Sequence, residues 1–269
     1  MNPSKQKSQF DDRGYLIVEG LLDAGELDEC QREIRSLHER AADLEAAGDP
    51  ALSSFQREPY AGEATESGLP VLRKIENTRV HSEVFRRLSV HPTLVATAQN
   101  LIGPDLLLYR STLMLKPALH GSAHGLHQDS AYWPIDPPDL VTVSVALSEA
   151  TVANGCVQVI PGSHKWGLQS WGRITRERDA PITDRDDVDL SAQIEVPLKA
   201  GSALFFHSLL VHGSGANTSP HPRNTALYAY FSPRVRYLPA EGAPRTKVFP
   251  VISGLEGKEE FTLTAAPER

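Results

Sequence analysis

The sequence predicts a mainly β protein, a sandwich or jelly-roll barrel set behind a helical front third. Two observations carry this. Up to about residue 104 apolar residues recur at helical spacing, and beyond it come short runs rich in Val, Leu, Thr and aromatics, separated by Gly, Pro, Asn and Ser. No helical pattern intervenes between those runs, so antiparallel packing is favoured over a doubly wound parallel sheet.

The first helix is expected over Leu21 to about Ala47, where Leu22, Leu27, Cys30, Ile34, Leu37 and Ala41 form an apolar stripe between charged positions. Asp23 and Glu26 have the spacing of an N-terminal capping box. A second helical stretch, roughly Ser82 to Asn100, stops before Gly103-Pro104, a pair that ends helices. Strands are then expected at Leu106–Leu115, Val141–Leu147, Cys156–Ile160, Gln193–Val196, Ala203–Phe206 and Thr225–Phe231. Trp166–Leu190 interrupts the series with charges and little periodicity, as a long lid or substrate-binding loop would. The whole chain, 1–269, reads as one domain. It divides into a helical part of about 1–104, a core of about 105–235 and a peripheral C-terminal extension, 236–269.

With 27 Lys plus Arg against 34 Asp plus Glu the net charge is −7, and no basic block is available to neutralise a run of phosphates, which argues against nucleic acid as a partner. The polar opening MNPSKQKSQF lacks the apolar stretch of a signal peptide, and no run of about 18 apolar residues could span a membrane, so a cytoplasmic protein is expected. Cys30 and Cys156 are too few for a disulfide scaffold and read as buried, reduced thiols.

The first candidate for chemistry is His127-Gln128-Asp129. On an extended segment residues i and i+2 share a face, so one strand end can offer a nitrogen and an oxygen to the same metal. His212, after the apolar Leu210-Val211 and before Gly213-Ser214-Gly215, is the best-placed second imidazole. Two His and one carboxylate are the facial set that leaves open positions on Fe(II). Zinc accepts the same ligands, so a zinc hydrolase and a non-catalytic binding barrel stay open at this point. Arg223 begins the run that leads into Thr225–Phe231, where its guanidinium is suited to grip a carboxylate beside the metal; a solvated rim charge is the plainer reading. His164 and His207 read as structural, His120 and His124 as solvated, and Tyr132, Trp133 and Trp166 as either pocket lining or packing.

Taken together, Leu126-His127-Gln128-Asp129, Tyr132-Trp133-Pro134, Asn154-Gly155-Cys156, Pro161-Gly162-Ser163-His164, Phe205-Phe206-His207 and His212-Gly213-Ser214-Gly215 with Arg223 resemble the phytanoyl-CoA dioxygenase family in order and spacing, from about Lys74 to Phe231. The resemblance implies a double-stranded β-helix (jelly-roll, cupin-like) barrel with flanking N-terminal α-helices. It implies Fe(II) on His127, Asp129 and His212, and 2-oxoglutarate as co-substrate with its distal carboxylate on Arg223. Lys74, and more loosely Thr112 and Ser214, match further co-substrate contacts. O2 would then be consumed, succinate and CO2 released, and an unactivated carbon of a small-molecule substrate hydroxylated or otherwise oxidised. Related halogenases replace the carboxylate with a small residue, so Asp129 favours hydroxylation. Family members act on fatty acyl-CoA thioesters, amino-acid-like solutes and natural-product intermediates; a small natural-product or amphipathic acid is the favoured expectation, with acyl-CoA or fatty acid metabolism as the other setting, and the sequence does not fix an oligomeric state. Gln128 should point away from the metal, so its loss is expected to matter far less than that of Asp129.

Overall fold

Beyond the point where the sequence changes texture the chain is mostly antiparallel sheet, and before it three short strands stand between the helices. The computed structural model of the protein describes residues 2–61, 68–169 and 190–266. Helix α1 (Pro3–Arg13) starts with proline in its first turn, after Asn2, whose side chain accepts a hydrogen bond from Ser4 N. Helix α2 (Ala24–Ala47) carries the expected capping box: Glu26 N donates to Asp23 Oδ1 and Asp23 N to Glu26 Oε2, both at 2.9 Å. Its buried side chains are Cys30, Ile34, Leu37 and Ala41, the stripe read from the sequence. The second helical stretch is not continuous. After the single turn α3 (Thr78–His81) it divides into α4 (Glu83–Leu88) and α5 (Pro92–Ile102), because Pro92 lacks an N–H and turns His91 away from helical geometry.

The described residues form fifteen strands: β1 (Tyr15–Val18), β2 (Phe55–Arg57), β3 (Leu72–Glu76), β4 (Leu106–Lys116), β5 (His124–His127), β6 (Ile135–Asp136), β7 (Leu140–Ala146), β8 (Val157–Val159), β9 (Ile194–Val196), β10 (Ala203–His207), β11 (His212–Ser214), β12 (Arg223–Phe231), β13 (Arg236–Tyr237), β14 (Thr246–Ser253) and β15 (Glu260–Thr264). All six strands expected from the sequence are among them. The large sheet has the order β1-β10-β7-β12-β4-β14-β15, with β3 also on β4 and β2 on β3; a four-stranded sheet has the order β5-β11-β8-β9. Every pairing is antiparallel. The expected jelly roll is therefore present as two facing sheets. Among the described residues their edges do not hydrogen-bond to each other, so the barrel is open. The C-terminal extension forms a hairpin on the large sheet, with Val251 opposite Leu107 and Phe249 and Leu263 buried.

Alternation along the strands sends their apolar side chains into separate buried clusters, the third of which gathers Leu107, Trp133, Phe231 and Phe249 under the C-terminal hairpin. Val141, Val143 and Val145 on β7, with Ala226, Tyr228 and Tyr230 on β12, pack against the helices through Phe85, Leu94 and Leu101. On the opposite face Leu204 and Phe206 meet Cys156, Val159 and Leu210 between the sheets. The β4–β12 ladder has one irregularity. Ala229 faces Arg110 but Tyr230 faces Leu108, leaving Tyr109 as an extra residue in β4. The expected loop Trp166–Leu190 lies largely outside the described residues.

Candidate metal centre

His127 ends β5, and His212, the first residue of β11, is its direct cross-strand partner. This pairing brings two imidazoles together from positions 85 residues apart in the chain, with ring centroids 4.2 Å apart. Asp129 starts a short 3-10 turn after β5, and its Oδ1 lies 3.5 Å from Nε2 of His127 and 3.8 Å from Nε2 of His212. All three residues are buried, and one ligand atom from each lies within 4.8 Å of the others. No other comparable cluster of His, Cys, Asp or Glu occurs among the described residues.

Backbone carbonyls orient both imidazoles. His127 Nδ1 donates to Gly125 O at 3.0 Å and His212 Nδ1 to Leu210 O at 2.9 Å, which fixes the tautomer and leaves each Nε2 lone pair facing the centre. Burial pushes His212 down to about 4, so it is a neutral donor at physiological pH. Burial opposes the charge on Asp129, but the imidazoles and the Thr142 hydroxyl outweigh it and hold the carboxyl well below its usual range. Two imidazole nitrogens and one carboxylate oxygen on one side of a buried point suit a divalent transition metal.

Beside the three residues lies a cavity of about 90 Å³, lined among others by Lys74, Thr112, Ser214 and Arg223. The four residues singled out around the metal positions in the sequence are thus brought into one place. Arg223 is only 5% exposed. Its Nη1 donates to Gly155 O at 2.7 Å, while its Nε is buried with no partner. Burial lowers its pKa to about 10, which still leaves it charged. Gly155 has φ of +78°, and a Cβ there would lie 2.3 Å from Gly215 O, so only glycine can present this carbonyl to the guanidinium. On the other wall Glu76 accepts from Thr112 Oγ1 at 2.9 Å and pairs with Lys74 at 2.5 Å and Arg110 at 2.7 Å. Burial opposes its ionisation, yet the two cations hold its carboxyl at about 2.

A profile of the phytanoyl-CoA dioxygenase (PhyH) family matches residues 10–225. The chain belongs to this family. The human peroxisomal phytanoyl-CoA dioxygenase is 24% identical over 271 residues, which cover 94% of this chain and 75% of that protein. An ectoine dioxygenase of Streptomyces coelicolor is 28% identical over 239 residues, 83% of this chain and 75% of that one. The solved structure of the epimerase SnoN in complex with Fe3+, alpha ketoglutarate and nogalamycin RO superposes with a TM-score of 0.66 at 26% identity, covering 93% of this chain and 98% of that one. As a phytanoyl-CoA dioxygenase relative, the protein is an oxidoreductase.

Family membership accounts for the triad and its cavity, but other residues of the site were not singled out beforehand. Thr142, whose hydroxyl holds Asp129, and Arg110, which shares Glu76 with Lys74, stand on strands read only as apolar runs. His124, expected in a solvated loop, is on β5 and lines the cavity with its ring 4.8 Å from that of His127. Gln128 does point away from the metal ligands, but it is fully buried. Its side chain donates to Gly167 O and Leu209 O and accepts from Gln169 N. His164 and His207 neighbour each other instead of the triad, with ring centroids 5.5 Å apart.

Proposed function

We propose that the protein is an Fe(II)- and 2-oxoglutarate-dependent dioxygenase in which His127, Asp129 and His212 hold the metal and Arg223 holds the distal carboxylate of the co-substrate. The observation that carries this is the buried Arg223 Nε, an orphaned donor beside the cavity that the triad lines. A buried guanidinium with no acidic partner costs free energy until an anion reaches it, and a carboxylate satisfies it with two parallel hydrogen bonds. The triad fits the metal equally well, since its three ligand atoms converge while the remaining polar atoms of the imidazoles are already bonded.

When bound, Fe(II) supplies the oxidative decarboxylation of 2-oxoglutarate by O2 to succinate and CO2, coupled to oxidation of an unactivated carbon of a small organic substrate. The chain's own residues set the geometry for that chemistry. Gly125 O and Leu210 O hold the imidazole planes, and Thr142 holds the carboxylate. Arg223, with the hydroxyls of Thr112 and Ser214 and the ammonium of Lys74, lines the co-substrate end. Phe206, whose ring centroid is 4.4 Å from that of His212, keeps water from one side of the metal position. A zinc hydrolase on the same triad would give Arg223 no role.

We read residues 1–269 as one catalytic domain, because the C-terminal hairpin extends the sheet that carries Thr112 and Arg223. No described helix is long and apolar enough to cross a membrane, and the free buried thiols Cys30 and Cys156 suit a reducing cytoplasm.

The test is anaerobic addition of Fe(II) and then 2-oxoglutarate to wild type and Arg223→Ala, recording the visible charge-transfer absorption of the chelate. A band in wild type that needs far more co-substrate in the variant is expected. Metal binding without a band would put the hydrolase or a simple binding barrel in its place.

A further inference from the structure

The bulge in β4 lies at the mouth of the site. On a regular strand neighbouring side chains point to opposite faces. Leu113 and Leu115 pack into the helix-side core, and so do Leu106 and Leu108, an odd number of residues away. The extra residue between them changes the phase, so both Tyr109 and Arg110 face the same cavity. Strand β12 stays in step with β7 through this stretch, which confines the irregularity to β4.

The cavity they face, of about 380 Å³, is distinct in shape from the small one near Arg223, and the two share His127, Asp129, His124, Lys74 and Arg110. The metal position therefore lies between a narrow cationic recess and a wider chamber. The chamber has an aromatic wall. Tyr109 and Trp133 have ring centroids 4.7 Å apart, Lys247 Nζ lies 4.6 Å from the Tyr109 centroid, and Tyr132 is exposed at the rim. Glu76 accepts from Nε and Nη2 of Arg110, while Nη1 has no partner among the described residues. The charges agree with an anionic occupant. Lys74, Arg110 and Arg223 line the two cavities against Asp129 and the Glu76 carboxylate, and a divalent metal with a dicarboxylate adds nothing to the balance, so one positive charge is left over, to which Lys247 at the Tyr109 ring adds another.

We propose that Tyr109, Arg110 and Trp133 form the substrate-recognition site, and that the substrate is a flat, unsaturated or aromatic anion whose acid group is held by Arg110 and whose ring lies along the Tyr109–Trp133 wall. This rests on the oxygenase reading of the neighbouring triad. The size of the chamber suits a molecule of a few rings. A neutral substrate would leave Lys74 and Arg110 with the single carboxylate of Glu76 between them, and a saturated one would lose the ring contacts that an aromatic wall favours.

The test compares anthracene-2-carboxylate, its neutral carboxamide and the fully saturated carboxylate, titrated calorimetrically into the full chain, without metal and again anaerobically with Fe(II) and 2-oxoglutarate. In wild type the flat acid is expected to bind about tenfold tighter than either analogue, from one charge-assisted contact and one ring contact. Arg110→Gln should remove the preference of acid over amide, and Trp133→Leu the preference of flat over saturated, with circular-dichroism melting to confirm that both variants fold. Equal binding of acid and amide in wild type, or an acid preference that persists in folded Arg110→Gln, would overturn the proposal. Recording the chelate absorption in the same wild-type samples separates the two readings. A band without acid preference removes the recognition site alone; acid preference without a band supports the recognition site and removes the oxygenase reading.

Discussion

Thr142 on β7 donates its hydroxyl hydrogen bond to Asp129 Oδ2 at 2.7 Å, while the other carboxylate oxygen, Oδ1, faces Nε2 of both His127 and His212. The two oxygens have separate tasks, one anchored in the sheet and one turned to the metal. Thr142→Val keeps the shape of the side chain but leaves Oδ2 without its donor and frees the carboxylate to rotate. Metal affinity should fall about 10–100-fold, as for other groups that orient a ligand. Competition with a chromophoric chelator measures this, and an affinity unchanged from wild type would show that Thr142 does not orient the carboxylate.

Arg223 is buried, charged and partly unbonded, so its value should lie in co-substrate binding more than in folding. Arg223→Gln is expected to weaken 2-oxoglutarate binding about 30–100-fold, the range for loss of charge-assisted hydrogen bonds. Arg223→Lys should recover little of this, because an ammonium cannot reproduce the planar fork. Titration of the chelate absorption under anaerobic conditions gives both values.

Asp129→Ala should abolish metal binding and turnover. The adjacent Gln128→Ala, expected from the strand pattern alone to be mild, should instead be costly in stability, since Gln128 is fully buried and bonded to three backbone groups at residues 167, 169 and 209. Unsatisfied partners cost about 1–3 kcal/mol, equivalent to a melting point lower by roughly 2–10 °C. Metal affinity should stay within a few-fold of wild type. Thermal melts alongside metal titrations test the split, and a Gln128→Ala variant that melts like wild type would contradict it.

Burial, with the neighbouring His164, pushes His207 down to about 4. Its Nδ1 accepts from Leu209 N and must be unprotonated to do so. Between its ordinary value near 6.5 and about 4, the unfolded chain takes up a proton that the folded chain refuses. The stability contribution is therefore complete above pH 6.5 and declines as the pH falls towards 4. From pH 7 to pH 5 wild type should lose about 2 kcal/mol more than His207→Gln, measured by urea unfolding. Parallel losses in the two proteins would show that another group dominates.

The metal ligands were legible because their pattern is local: an i, i+2 pair and a histidine between an apolar run and a glycine turn. The strands that carry them, β5 and β11, are four and three residues long, too short to show any alternation, and only their pairing places His212 opposite His127. Pro92 in the sequence marks the break before α5, and the longer helical periodicity masked it. Arg110 could not be assigned from alternation, because the bulge that turns it beside Tyr109 depends on a ladder formed with residues more than a hundred positions away. Gln128 was read for direction and not for burial, which the loop at residues 167–169 decides.

The phase change in β4 divides one strand into two independent registers. Beyond it, Thr112 and Met114 stay in step with Leu227 and Thr225 beside the metal; before it, Leu107 and Leu108 follow Phe231 and Tyr230. Deleting the single residue Tyr109 would restore strict alternation without turning either half, since Arg110 would follow Leu108 on opposite faces, and would take one ring from the chamber wall. A chain of this architecture can thus exchange the surface it offers to incoming molecules by gaining or losing one residue, while its reactive half is inherited intact.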